Sequence, residues 1–300
     1  MNPKDCGYLL LSSRLGDPSR RPLSTPQLRL LAQKAPYLPE GSAEAELTTA
    51  HLMSAGVEKW LAQRTVALLS DELQLEAYLK KGKRLGCQPI TRAGSNYPPR
   101  LRSRLGQEAP GCLWAKGNLE LLRLPAVSLV GSRDLAEENR RFAQQVGIQV
   151  ARQGYVLVSG NARGADSAAQ AACLEAGGQV ICVVADSLEE RCPDGRVLLL
   201  REDDFDEPFT VHRALRRNRV IHALGQITFV AQCTLGRGGT WDGSTQNLRR
   251  NWSLLYCFSD GSAACAELEQ MGARLIGVDE LLNFKALSDI QTDLFSLGRI

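Results

Sequence analysis

Three segments of this 300-residue sequence place glycine, hydroxyl and arginine residues directly after short apolar runs. Glycine lets the backbone approach a ligand, free N–H groups at a helix start attract anions, and arginine adds forked hydrogen bonds. These residue types predict a pocket for a phosphate or a similar anion. The candidate residues in the three segments are Gly131, Ser132, Arg133, Ser159, Gly160, Arg163, Gly164, Asp166, Gly238, Gly239 and Thr240.

A fourth segment, residues 212–222, is rich in arginine and precedes a further apolar run. Four arginines fall within two helical turns, so some of them must share a helix face. We predict that they line a phosphate-binding groove. The alternative is a solvated helix face whose arginines pair with the acidic residues 202–207. The candidate residues of this segment are Arg213, Arg217, Asn218 and Arg219.

The elements that position these residues are predicted by apolar periodicity. Short strand-like runs alternate with helical patterns from residue 126 onward, and the strands recur about every 25 residues. This alternation predicts an α/β fold with a mostly parallel sheet and helices on both faces. Ligands bind beyond the carboxyl ends of parallel strands, where all three glycine segments fall. A single glycine there is usually a turn residue, but three such segments on one rim favour a ligand site.

Residues 1–95 have a different pattern, with amphipathic segments at 25–31, 48–53, 57–69 and 71–81. Prolines at 98 and 99 cannot continue a helix. We therefore predict a small helical domain at 1–95, an α/β domain at 96–285 and a tail at 286–300.

Composition excludes several classes of protein. No apolar stretch approaches the ~18 residues of a membrane span. The nine cysteines include no C-x-x-C pair, which argues against a zinc or dithiol site and favours a reduced, cytoplasmic protein without a bound metal or cofactor. Of the 36 basic residues 28 are arginine, and we expect Arg20, Arg21, Arg102 and Arg104 to lie on surfaces. Tyr155, Phe229 and Trp241 are either core residues or a base-stacking platform, and an aromatic content of 6% favours the core.

Over about residues 97–284 the sequence resembles the DNA-processing protein A (DprA/Smf) family. Residues 159–166 closely match its S-G-x-A-R-G-x-D signature, and residues 217–221 match its R-N-R-[IV]-I motif. Residues 97–101 and 113–118 are similar to the segment that opens the family's domain, and residues 130–133 to its first Rossmann turn. The resemblance implies a Rossmann-like domain that binds single-stranded DNA, forms a homodimer and helps to load a RecA-type recombinase in transformation or recombination. It implies no catalytic step.

Two departures keep a second function open. Gln170 replaces a histidine of the family, and residues 236–243 resemble the P-G-G-x-G-T loop of a related nucleotide-binding group that includes phosphoribohydrolases. The chain is then either a non-catalytic single-stranded DNA binder or a sensor or enzyme for a free nucleotide. A hydrolase needs a placed carboxylate, for which Asp166, Asp242 and Glu267 are candidates. The arginine-rich segment favours DNA.

The tail carries one further motif. Gln291, Leu294 and Phe295 resemble the Q-x-x-L-F peptide that binds the replication sliding clamp, with the leucine and phenylalanine filling an apolar pocket. The alternative is that these two side chains pack on their own domain. Because the motif follows the end of the predicted α/β domain, its position favours the peptide, and we predict the sliding clamp as a further partner.

Overall fold

The computed structural model describes residues 2–39 and 47–288. Within them, the N-terminal region contains five α-helices. The first four surround a small core that includes Leu52, Leu61 and Leu68, whereas Leu75 and Tyr78 of the fifth helix join the core of the large sheet. Four of the helices, α2 to α5, agree with the predicted amphipathic segments; α1 is additional. Their bounds are α1 Pro3–Ser12, α2 Thr25–Lys34, α3 Thr49–Ser54, α4 Lys59–Leu69 and α5 Glu72–Arg84.

The prediction of helix through residue 95 is wrong at one strand, β1 (Cys87–Thr91). This strand pairs antiparallel with β2 (Cys112–Gly117) at the edge of the large sheet. Gly86 ends the preceding helix with a positive φ of 72°, and Pro89 is tolerated because an edge strand leaves some N–H positions unpaired. The strand joins residues before the proline linker to the α/β sheet, so the division at residue 95 stays a prediction.

The remaining elements alternate as predicted. The further strands are β3 Ala126–Val130, β4 Val156–Ser159, β5 Gln179–Val183, β6 Val197–Arg201, β7 Ile227–Val230, β8 Leu254–Phe258 and β9 Arg274–Ile276. The further helices are α6 Pro99–Leu105, α7 Glu137–Arg152, α8 Ala165–Glu175, α9 Val211–Leu224, α10 Gly239–Arg250 and α11 Ala263–Gln270. Short 3₁₀ helices lie at Ala35–Tyr37, Gly106–Glu108, Leu119–Arg123 and Val278–Leu282.

One mixed sheet organises the described part of the chain, in the order β1-β2-β6-β5-β4-β3-β7-β8-β9. The strands from β6 to β9 in this order run parallel, whereas β1 and β2 are antiparallel to their neighbours. The chain winds outward in one direction from β3 and in the other direction from β7. Such a reversal opens a crevice beyond the strand ends, and it places the β3 and β7 loops side by side.

Both faces of the sheet are buried, and neighbouring strand residues point to opposite faces. On one face Leu129 packs with Phe142 of α7, and on the other Val130 packs with Ile221 of α9. This two-sided burial explains the continuous apolar runs of the parallel strands. Among residues 2–39 and 47–288, no helix combines the length and the apolar character needed to cross a membrane.

Two arginines expected on the surface have structural roles instead. Arg20 is 8% exposed, donates to three backbone carbonyl groups and pairs with Asp71. Arg104 donates to the carbonyl groups of Ala223 and Gly225 at the end of α9. The last carbonyl groups of a helix lack partners within the helix, and a guanidinium satisfies them. Burial lowers the pKa of Arg104 to about 10.

Candidate nucleic-acid interface

A cavity of about 470 Å³ lies where the sheet order reverses, between the ends of β3 and β7 and helix α9. We call it the strand-end cavity. Its walls come from the loop after β3, the glycine-rich loop before α10, and the first half of α9. The predicted site residues that line it are Gly131, Ser132, Arg133, Asp166, Arg217, Asn218, Gly238, Gly239 and Thr240. The sheet topology therefore brings together residues that are up to 109 positions apart in sequence.

The loop after β4 is shaped by Asp166 together with Gly160 and Gly164. One carboxylate oxygen of Asp166 accepts the backbone N–H groups of Gly160 and Ala162, each at 3.1 Å. Gly164 has a φ of 88°, and a Cβ there would overlap the carbonyl oxygens of Ser132 and Arg133. Burial raises the pKa of the Asp166 carboxyl, while Arg217 and the two amide groups lower it. The motif residues thus hold the β4 loop against the β3 loop.

Arg217 forms the floor of the cavity, and its guanidinium group packs directly against Gly160. Its Nη2 donates to the Gly160 carbonyl at 3.0 Å, and a Cβ at position 160 would overlap the guanidinium group. The Arg217 Nε is buried and has no hydrogen-bond partner among the described residues. Burial lowers the pKa of Arg217, and the charge of Asp166 opposes this shift. A cation with an unused donor therefore stands beneath the cavity.

Helix α10 directs its first turn at the same cavity. The preceding loop turns through Gly236 and Gly238, whose φ angles are 71° and 89°. Asn218 fixes the start of the helix, since its Nδ2 donates to the Gly239 carbonyl at 3.0 Å. The N–H groups in the first turn of a helix have no partner within the helix and carry its positive dipole end. This geometry can hold a phosphate.

Two further arginines, Arg133 and Arg237, stand exposed at the cavity wall. Neither forms an ion pair with an acidic side chain in the described ranges. Arg237 is a residue that the sequence reasoning missed, although its place between two glycines after a strand is the available signal. Arg163 lies outside the cavity lining, with 77% of its side chain exposed, and its Nη2 is 3.4 Å from Asp134.

One wall of the cavity is apolar. Phe209, Val211 and Leu215 line it, and they are 50%, 68% and 41% exposed. Sequence reasoning missed this wall, because the aromatic candidates were sought elsewhere. Phe229 is fully buried, and the structure packs Tyr155 and Trp241 against core side chains, which agrees with the core interpretation.

Other predicted residues are not brought to the cavity. Ser159 is buried and accepts a hydrogen bond from Gln170, the residue that replaces the family histidine. Arg213 and Arg219 lie away from the cavity: Arg213 is 3.1 Å from Asp203, and Arg219 Nη1 donates to Glu202 at 2.8 Å. Arg216 pairs with the same two carboxylates. Pairing with residues 202–207, the alternative to a phosphate groove, is thus observed for three of the four arginines. Gln291, Leu294 and Phe295 lie outside the described residues.

The three candidate carboxylates for a hydrolase do not share one cavity. Asp166 lines the cavity, but one of its oxygens is already bonded to two amide groups. Asp242 accepts from Gln246 at 2.9 Å and faces a different cavity. Glu267 lines none of these walls. The residues within 2–39 and 47–288 also provide no group of three or more side chains suited to a metal ion.

The sequence profile of the family described as DNA recombination-mediator protein A matches residues 88–285. This chain belongs to that family. The resemblance inferred from the two motifs is confirmed, and the match covers the whole strand-end cavity. It begins at β1, which places that strand with the family's domain.

Individual relatives agree with this assignment. The DNA processing protein DprA of Streptococcus pneumoniae is 31% identical over 194 residues, which cover 59% of this chain and 68% of that protein. DprA of Bacillus subtilis is 27% identical over 187 residues, covering 57% and 62%. The chain thus spans about two thirds of these relatives.

Solved structures of the family share the fold. The structure of S. pneumoniae DprA aligns with a TM-score of 0.72 and 24% identity, covering 94% of this chain and 98% of that one. DNA processing protein A from Helicobacter pylori, solved to define its single-stranded DNA binding mode, aligns with a TM-score of 0.55 and 21% identity over 69% and 96%. The predicted Rossmann-like sheet is confirmed.

Proposed function

We propose that this protein binds single-stranded DNA without catalysis and acts in DNA uptake, recombination or repair. The observation that carries the proposal is the convergence of Arg133, Arg217 and Arg237 with the first turn of α10 at one cavity. The only acidic side chain on its described walls, Asp166, is bonded to backbone amides. The cavity therefore favours a phosphate.

The apolar part of the cavity wall suits a nucleobase. Phe209, Val211 and Leu215 expose apolar surface in the same cavity as the cationic loops. Proteins that bind single strands combine a cationic groove with aromatic side chains on which bases stack, because every base has a π-face. A nucleotide unit in the cavity would place its phosphate at α10 and its base against Phe209.

Family membership extends the proposal to partners. We infer that the protein acts in the cytoplasm, forms a homodimer and passes its DNA to a RecA-type recombinase, as the family resemblance implies. The single-stranded DNA binding mode for which the H. pylori structure is described supports the choice of ligand.

A free nucleotide is the second candidate ligand. The glycine run before α10 favours it, since such a loop at a helix start cradles a single phosphate group. A mononucleotide would occupy the same cavity, so the two candidates differ in how affinity grows with strand length.

Fluorescence anisotropy of labelled oligo-dT at two salt concentrations tests the proposal. We expect binding whose log affinity falls with log salt by roughly 0.7 per phosphate contacted. Arg217→Ala should weaken this binding. Arg152→Ala should leave it unchanged, because Arg152 is an exposed arginine of α7, which packs on the other face of the sheet from α9. Absence of binding below about 10 µM at low salt would overturn the DNA proposal. Displacement of the oligonucleotide by equimolar mononucleotide would favour the nucleotide.

A further inference from the structure

A second cavity, of about 510 Å³, borders the strand-end cavity along α9. Leu215 and Asn218 line both, so one ridge of side chains separates them. We call the second one the α2 cavity because Thr25, Pro26 and Arg29 of α2 form its outer wall. Its other walls come from α9, α10, Glu108 and Trp252. The N-terminal helical region and the α/β region therefore enclose it together.

The α2 cavity is lined by three guanidinium groups, those of Arg29, Arg216 and Arg219. Arg216 and Arg219 pair with Glu202. Arg29 forms no ion pair with any acidic side chain in the described ranges, and its Nε is buried without a hydrogen-bond partner. A buried N–H without an acceptor is costly, so Arg29 has the chemistry of an unfilled anion contact.

The acidic side chains of this cavity are already engaged. Asp242 accepts from Gln246 at 2.9 Å, and Glu108 lies 3.4 Å from Arg250. Two carboxylates on the walls oppose a compact, highly charged free anion. They are compatible with a phosphodiester, which carries one negative charge and is held in place by the rest of its strand.

We propose that a single-stranded DNA bound in the strand-end cavity continues over Leu215 and Asn218 into the α2 cavity, where Arg29 contacts a backbone phosphate. The inference rests on the proposed function and extends the DNA-binding surface to the N-terminal helical region. The side chains of Leu215 and Asn218 separate the two cavities. The strand-end cavity, at about 470 Å³, has the size of a site for one small ligand. A ligand held there reaches Arg29 only if it is a strand long enough to continue over this ridge.

Binding of two ligands of different length tests this inference. Wild-type protein and Arg29→Ala are titrated with the dinucleotide pTpT and with oligo-dT of about 20 nucleotides. We expect Arg29→Ala to bind the long strand about tenfold more weakly, as loss of one charged hydrogen bond predicts, and to bind the dinucleotide unchanged. The salt slope for the long strand should fall by about 0.7, one phosphate contact.

The matched controls are Arg29→Lys, which keeps the charge and should retain most of the affinity, and Arg152→Ala. Unchanged dinucleotide binding shows that Arg29→Ala is folded at the strand-end cavity. Equal loss for both ligands, or no loss for either, overturns the inference and leaves the proposed function intact. Failure of wild-type protein to bind either ligand refutes the proposed function instead.

Discussion

Arg217 and Arg213 lie one turn apart on α9, yet their guanidinium groups meet opposite surroundings. Arg217 rests on the β4 loop and keeps an unused N–H donor beneath the strand-end cavity. Arg213 is bound by Asp203 and Glu207. The number of arginines in a segment therefore does not give the positive charge available to a ligand, because acidic side chains packed against the helix neutralise part of that charge.

The acidic residues 202–207 that neutralise α9 also bind the N-terminal helical region. Asp204 accepts the Ser13 hydroxyl at 2.6 Å and the Arg14 backbone N–H at 2.8 Å. Asp206 accepts from Tyr78 and Lys81 at 2.6 and 2.8 Å. One short segment thus links the N-terminal helices to the arginines of α9, whereas the strand-end cavity depends on loops of the sheet.

The largest expected effect concerns the acidic segment itself. Burial raises the pKa of the Asp204 carboxyl to about 6, while Ser13 and Arg14 lower it. Between about pH 4 and pH 6 the folded state therefore keeps a proton that the unfolded chain has released. The free energy of unfolding consequently falls as pH rises through this range. The shift corresponds to about 3 kcal/mol.

Asp204→Asn should remove that loss. We expect urea unfolding at pH 4.5 and pH 7 to show a smaller pH-dependent decrease in unfolding free energy for the variant than for wild type. The pH-independent cost of the substitution cancels in this comparison. Equal pH dependence in both proteins would contradict the assignment of this proton to Asp204.

The next effect separates the two arginines directly. Arg217→Ala should lower the affinity for oligo-dT by about 2 kcal/mol, the scale of a charged hydrogen bond, whereas Arg213→Ala should change it less than about twofold. Anisotropy titration of both variants at one salt concentration measures the difference. If Arg213→Ala weakens binding as strongly as Arg217→Ala, the contrast between the two guanidinium groups does not hold.

The apolar wall of the strand-end cavity gives a smaller effect. Phe209→Ala should weaken oligo-dT binding by about 1 kcal/mol, the lower end of base-stacking contributions, because the ring is half exposed. Trp60→Ala is the matched control, since Trp60 is 51% exposed and lies on α4. Similar losses in the two variants would show that the Phe209 result is not specific to the cavity.

The smallest expected effect comes from releasing paired arginines. Glu202→Gln should raise the affinity for oligo-dT of about 20 nucleotides about two- to threefold, because Arg216 and Arg219 lose a shared counter-ion. Glu120→Gln, which breaks the exposed Glu120–Arg123 pair, is the control and should have no effect. An unchanged affinity for Glu202→Gln would mean that these arginines do not approach the strand.

Much of the fold follows from local patterns. The strands from residue 126 onward were predictable because most of them are short, largely buried apolar runs that alternate with helical stretches. The strand β1 was not, because residues 87–91 include a proline and polar side chains and become a strand only through pairing with β2. The roles of Arg20 and Arg104 were likewise not predictable, since their partners include the backbone carbonyl groups of Leu68 and Ala223, which are distant in the chain.

The sequence by itself determined the chemistry of the site. Glycines and arginines after parallel strands must meet at one edge of the sheet, and the motifs around Gly160 and Arg217 carry the family assignment. Sequence also determined that Arg213, Arg217 and Ile221 share one stripe of α9, because they are spaced four residues apart.

Only the tertiary structure decided which of those two arginines remains available to a ligand. As α9 crosses the sheet edge, Arg217 meets the glycine loop after β4 and Arg213 meets the acidic segment after β6. Helical periodicity fixes the direction of a side chain, but its partner depends on how other segments fold against the helix. The Gly160 carbonyl that binds Arg217 lies 57 residues away in the chain, and the acidic segment after β6 folds back onto Arg213. This packing selects Arg217 as the arginine that we propose to bind phosphate.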